Sequence, residues 1–275
     1  MVVATPIGNL GDLAPRALRL LQDADAVYCE DTRHSRTLFS AHGVTPRHRL
    51  LALHEHNEAS RSVEIVERVA RGELVALICD AGTPGISDPG ARVVAAVVHA
   101  GLAVSTVPGP SAVIAALTVS AMATDRFVME GFAGRKAGQR ARSYESWRRE
   151  ERTVVFFESP QRVATTLAEL AALFPQRRVA LVRELTKLHE EVLRGTLSEV
   201  SAQLVNRDIL GEIVVVLEGA PPAVVEDEEV VAALRELIAR GVTLRDAVSS
   251  VAEELGVARR ETYETALRLR AEETH

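Results

Sequence analysis

Aromatic residues are scarce in this chain, 4% of 275 residues, and cysteine is scarcer still, at Cys29 and Cys79 alone. Two isolated thiols exclude a disulfide framework and a structural zinc site, and they fit a reducing compartment. No apolar run approaches the ~18 residues that a membrane helix needs. The opening "MVVATPIGNL" has no basic leader pattern. A cytoplasmic protein without a membrane partner is therefore expected. An excess of positive charge is also missing, since the formal net charge is -6. Bulk attraction to nucleic acid is excluded on that ground, and any basic surface has to be local.

What remains is an ordinary globular composition, 47% apolar and 25% charged, with a core of alanine, valine and leucine. At roughly 150 residues per domain, the length suggests about two domains. Short β-branched runs alternate with helical patterns. "VVAT", "AVYCE", "LVALIC" and "LAVSTV" read as strands. "PRALRLLQDA", "SVEIVERVARGE", "ARVVAAVVHAG" and "SAVIAALTVSA" read as helices. That alternation predicts a parallel, helix-covered sheet. The pattern restarts near residue 120, where "DRFVMEGF", "TVVFFE", "RVALVRE" and "EIVVVLE" supply further strands. An acidic, proline-bearing stretch then leads into three helices separated at Gly241 and Gly256. The expected organisation is α/β, with domains at 1–118 and 119–220 and a helical domain at 221–275.

Three glycine- or proline-rich loops follow predicted strands directly: "TPIGNLGD", "DAGTPGISDPG" and "PGPSA". Each alone reads as turn punctuation. Together they suggest a pocket, because open α/β sheets bind ligands at the carboxyl ends of their strands. A phosphate loop needs lysine and a hydroxyl residue directly after its glycines, and none of the three has them. The spacing of Asp80 and Asp88 is no recognised metal pattern, so no metal is expected. A ligand gripped by backbone groups, without phosphate, remains. S-adenosylmethionine, with its cationic sulfonium, fits.

Seven blocks occur in order over nearly the whole chain: "VVATPIGNLGD", "CEDTRHSRTL", "LHEHNE", "CDAGTPGISDPG", "PGPSA", "FFESPQR" and "RELTKLHEE". Together they resemble the bacterial 16S ribosomal RNA (cytidine-2′-O)-methyltransferases of the tetrapyrrole methylase superfamily. The resemblance implies two α/β domains with a helix-turn-helix-like domain after them, S-adenosylmethionine in the cleft between the first two, and a homodimer. It also implies a target, the ribose 2′-oxygen of a cytidine in the decoding centre of 16S rRNA in the 30S subunit. Carried over block by block, Pro6 and Gly8 would line the cofactor entrance. Thr83 and Ile86 would hold the amino-acid part and ribose, Ser111 and Ala112 would make a third contact, and Phe157 and Glu158 would border the adenine. Gly211 and Glu212 are weaker candidates. Where the family continues its mid-chain "GF" with Leu-Pro, Gly131 and Phe132 here lead into "AGRKAG", which leaves that loop's geometry open.

For removing a proton from a ribose hydroxyl, the best candidates are Glu30 and Asp31, at the end of the second strand. Asp31 serves equally well as a helix N-cap. Arg33 and Arg36 in the same block, His54 and Asn57 (with His56) in "LHEHNE", and Lys187 are candidate RNA contacts, each also at home on a solvated surface. The stretch 135–152 holds seven basic residues against three acidic ones. Arg135 and Lys136 open it, and Tyr144 and Trp147 are expected to stack on a splayed base, the alternative being an exposed helix with its charges in water. Arg259 and Arg260 in the last helix could hold phosphate or simply pack. A porphyrin-type methyltransferase is disfavoured because the loop after the first strand is not Gly-Pro-Gly-Asp. A non-catalytic nucleic-acid-binding regulator would show no affinity for the cofactor.

Overall fold

The computed structural model describes residues 1–45, 50–221 and 227–272. The chain divides into two compact units, Met1–Ala220 and Pro221–His275.

The first unit opens with a five-stranded sheet of order β3-β2-β4-β1-β5, built from β1 (Val2–Val3), β2 (Ala26–Cys29), β3 (Leu50–Ala52), β4 (Val75–Leu77) and β5 (Thr106–Val107). Every pairing is parallel. Alternate residues go to opposite faces. Val27, Cys29, Ala76 and Ile78 meet helices α1 (Pro15–Asp23) and α2 (Thr32–Ala41), while Ala26, Tyr28, Val75 and Leu77 meet α3 (Glu58–Ala70) and α4 (Ala91–His99). Burial on both faces explains why "LVALIC" carries no polar residue. The helix α4 starts where the buried Glu58 accepts hydrogen bonds from Gly90 N (2.9 Å) and Arg92 N (3.1 Å). Glu58→Ala removes that cap and is expected to cost about 1–2 kcal/mol, read as a lower urea midpoint.

The second sheet has the order β6-β7-β10-β8-β9. Its strands are β6 (Phe127–Phe132), β7 (Thr153–Glu158), β8 (Arg178–Arg183), β9 (Glu191–Thr196) and β10 (Ile213–Leu217). Only β6 and β7 run parallel; the other pairs are antiparallel. One face, with Val154, Phe156, Leu181 and Val215, packs under α6 (Ala137–Arg148), α7 (Pro160–Leu173) and α8 (Leu197–Gln203). The other face, with Val155, Val182, Val214 and Val216, is covered by α5 (Ala112–Ser120) through Val113, Ala116 and Leu117. An expected boundary after residue 118 falls inside this helix. It leaves the first sheet and packs on the second, joining both sheets in one unit.

Tyr144 and Trp147 require a correction. They are 3% and 1% exposed, not presented for stacking. Trp147 packs on Phe156 at 4.8 Å between ring centres, and the Tyr144 hydroxyl donates to Glu169. Both aromatics anchor α6 to the second sheet. The helical pattern of this segment outweighs its charge as a guide to its buried side.

The second unit is a bundle of α9 (Asp227–Ala239), α10 (Leu244–Leu255) and α11 (Arg259–Glu272) around Leu234, Val251 and Ala266. Gly241 and Gly256 take left-handed backbone between the helices, as their positions in the sequence suggested.

Candidate active site

The three glycine- and proline-rich loops come together. Thr5 and Gly82 form a two-bond bridge, N to O at 2.9 and 3.1 Å, and the Thr5 hydroxyl donates to Cys79 O. Thr83 Oγ1 donates to Pro110 O at 3.2 Å, which ties the second loop to the third. Gly82 holds φ at +84°, a conformation glycine adopts without penalty. Gly8 is needed for closeness instead: a Cβ there would lie 2.5 Å from Lys187 Cγ. The first loop therefore rests directly against the turn between β8 and β9.

These loops and the second sheet enclose a cavity of about 340 Å³. Of the residues expected at a cofactor, Thr83, Ile86, Ser111, Ala112, Phe157 and Glu158 line it, as do Gly211 and Glu212. Pro6 is buried and Gly8 lies at the loop contact just described; Ile7 between them reaches the cavity. Ser111 also caps α5, accepting from Ile114 N. Glu158 is fully buried, accepting from Ser159 N and Thr166 Oγ1 and paired with Arg162 at 2.5 Å. Among the described residues, the lining holds the carboxylates of Asp88, Glu158 and Glu212 and no lysine, arginine or histidine. Sequence reasoning overlooked Leu185, Val182, Ile213 and Val214. Strand-end logic misses them because β10 runs antiparallel to β8, so the start of β10, Ile213, lies beside Arg183 at the end of β8.

Beside the cavity, at the ends of β2 and β4, stands an acidic group. Asp31 N donates to Asp80 Oδ1 at 3.0 Å. Burial, together with the charges of Asp88 and Asp80, raises the pKa of Glu30. Burial also raises that of Asp88, whose carboxylate meets the Cys79 thiol. Asp31 goes the other way. It accepts from Arg33 N at 2.7 Å and pairs with the Arg33 guanidinium at 2.8 Å, and Arg33 holds its pKa down at about 2. It is the N-cap of α2. Because that pKa is depressed, the stabilisation is complete above the ordinary carboxyl value and disappears as pH falls towards 2. Asp31→Ala is expected to lower the thermal midpoint at pH 7, with the difference shrinking as pH approaches 2.

Arg33 and Arg36 are exposed on α2. Asn57 accepts from His54 N at 2.8 Å and donates to Ala52 O, so this side chain shapes the turn before α3. The rings of His54 and His56 sit 6.0 Å apart, and no group of three metal-binding side chains exists among the described residues. Lys187 is neutralised by Glu184 at 2.8 Å and Glu212 at 3.1 Å. Arg135 and Lys136 are exposed, and neither forms an ion pair among the described residues.

A family model described as tetrapyrrole (corrin/porphyrin) methylases matches residues 1–201. Relatives named ribosomal RNA small subunit methyltransferase I share its sequence along almost the full chain. The Synechocystis protein is 42% identical, covering 98% of each chain. The Mycobacterium tuberculosis protein is also 42% identical, over 98% of this chain and 94% of its own.

The chain belongs to the tetrapyrrole methylase family.

Within that family it groups with the ribosomal RNA small subunit methyltransferase I proteins, and it is a methyltransferase. Solved structures agree on the tetrapyrrole methylase fold. A diphthine synthase superposes with a TM-score of 0.61 at 15% identity, covering 78% of this chain and 90% of its own. A uroporphyrin-III-C-methyltransferase from Thermus thermophilus superposes at 0.55 with 17% identity, over 78% and 92%. No described helix is long and apolar enough to cross a membrane.

Proposed function

We propose that this methyltransferase moves a methyl group from S-adenosylmethionine to the ribose 2′-hydroxyl of a cytidine in the decoding centre of 16S rRNA. It works as a cytoplasmic homodimer on the 30S subunit. One observation carries the cofactor reading: three linked loops border a cavity whose lining, among the described residues, holds no cationic side chain and three carboxylates, of which Glu158 and Glu212 are paired from behind by Arg162 and Lys187. That donor set suits a cationic, phosphate-free ligand, and about 340 Å³ lies in the range of small-molecule pockets. The relatives' names support ribosomal RNA as the acceptor.

Backbone groups of 81–83 and 211–212 would hold the ligand's polar edges, and Ile7, Ile86 and Leu185 would cover its apolar surface. Bound there, S-adenosylmethionine supplies an electrophilic methyl group. The protein's share is to align the acceptor oxygen and to take its proton. Glu30 suits the second task, because its raised pKa makes it a better base than Asp31. Asp31 instead holds Arg33 at the start of α2, on the side where an RNA strand would approach.

The test is nucleotide-resolution mapping of 2′-O-methylation on small-subunit RNA after incubating 30S particles with purified protein and S-adenosylmethionine. A new mark on one cytidine ribose is expected. Cofactor binding without any such mark would sink the reading. Sedimentation equilibrium checks the dimer.

A further inference from the structure

Phe132 is 60% exposed, although it ends a strand of the second sheet and lines the cavity. The register explains its position. Met129 pairs with Val155 but Phe132 pairs with Phe157, so β6 takes three steps where β7 takes two. The extra residue is a bulge, and Gly131 at φ +70° makes the turn within it. Side chains alternate along a strand, so without the bulge Phe132 would share the face of Val128, which packs in the core beneath α6 and α7. The bulge moves it to the face of Met129, where the cavity opens. There its ring meets Phe157 at 5.4 Å and leaves one side to solvent. The same bulge approaches the second loop, since a Cβ on Gly131 would stand 4.0 Å from Ser87 Oγ.

We propose that Phe132 is the stacking platform for the base of the acceptor nucleotide, with Arg135 and Lys136 on the adjoining phosphates. The proposal rests on the RNA reading above. An RNA base fits better than the cofactor's adenine. The ring sits at the exposed rim, and the two cations three and four residues later lie in no ion pair among the described residues. The cofactor carries one carboxylate and no phosphate, whereas an RNA strand presents a base and a row of phosphates side by side.

Phe132→Ala is expected to lower kcat/KM for 30S particles roughly tenfold, as loss of one base stack does. Because Phe132 also borders the cavity and touches Phe157, the variant's Kd for S-adenosylmethionine by calorimetry and its thermal midpoint should change much less than kcat/KM does. Phe132→Tyr should keep activity, and Phe132→Leu should lose it as alanine does. Full activity in the leucine or alanine variant overturns the platform, and so does an equal loss of cofactor affinity. Phe132→Trp gives a second, independent readout. A single-stranded fragment of 16S rRNA should quench its added emission, while the buried Trp147 of the parent protein stays unaffected. Absence of quenching overturns the platform even where methyl transfer is intact. Quenching without any methyl transfer by the parent protein upholds the platform and defeats the methylation reading instead.

Discussion

Glu30→Gln is expected to reduce kcat for methyl transfer to small-subunit RNA by roughly 10²- to 10⁴-fold, the usual contribution of a positioned base. Affinity for S-adenosylmethionine should stay the same, because Glu30 is not part of the cavity wall. The environment drives the carboxylates of this corner in opposite directions. Arg33 holds the pKa of Asp31 down at about 2, whereas burial and the neighbouring Asp88 and Asp80 raise that of Glu30. Neighbouring acids driven in opposite directions mark an acid–base assignment. In the parent enzyme kcat should rise with pH through the raised Glu30 value, and the glutamine variant should lose that dependence. Stability supplies the control. A carboxyl whose pKa is raised by folding weakens the fold as pH climbs from its unfolded value to its folded value. Removing the charge lifts that penalty, so Glu30→Gln should be at least as stable at pH 8 as the parent. A structural carboxylate would show the opposite: lower stability and unchanged turnover.

Trp147→Ala should destabilise the first unit by about 3–5 kcal/mol, the range for emptying a large aromatic site in a core. Trp147 is 1% exposed and stands between Tyr144 and Phe156, at 5.5 and 4.8 Å between ring centres. Its loss therefore opens a hole where α6 meets the second sheet. A drop of roughly 10 °C in the thermal midpoint is expected. As the only tryptophan, it should also give blue-shifted emission in the folded protein. Had this ring stacked on RNA, the variant would keep its midpoint and lose affinity for 30S particles.

The first sheet could be read from sequence because its signal is redundant. "LVALIC" is apolar throughout, the helices between the strands carry their own spacing, and glycines mark the turns. The same redundancy exposed the three loops at its strand ends. Other elements gave weaker signals. β9, with Arg194 and Gly195 in its centre, is an edge strand whose burial is only partial, so "EVLRGT" offers little alternation to detect. β3 is three residues long. Part of the cavity wall comes from antiparallel pairing in the second sheet, which brings Ile213 and Leu185 to the site although neither belongs to the three glycine- and proline-rich loops. Basic charge in 135–152 pointed outward, correctly for Arg135 and Lys136. It misled for Tyr144 and Trp147, expected to stack on a base but buried on the inner side of the helix. The bulge at Gly131 was visible only as a glycine in a strand.

The cavity takes its walls from residues as far apart as Ile7 and Val214. A ribosome making this chain therefore has to release both sheets before the pocket has all of its walls. Both residues of the Thr5–Gly82 bridge are made early in synthesis, but the wall opposite arrives some 130 residues later, with β10. Whatever occupies the finished pocket then touches the first-made and last-made parts of the unit together. Saturating it stabilises the unit as a whole by mass action, since only the completed form binds. Occupancy therefore depends on both sheets being in place.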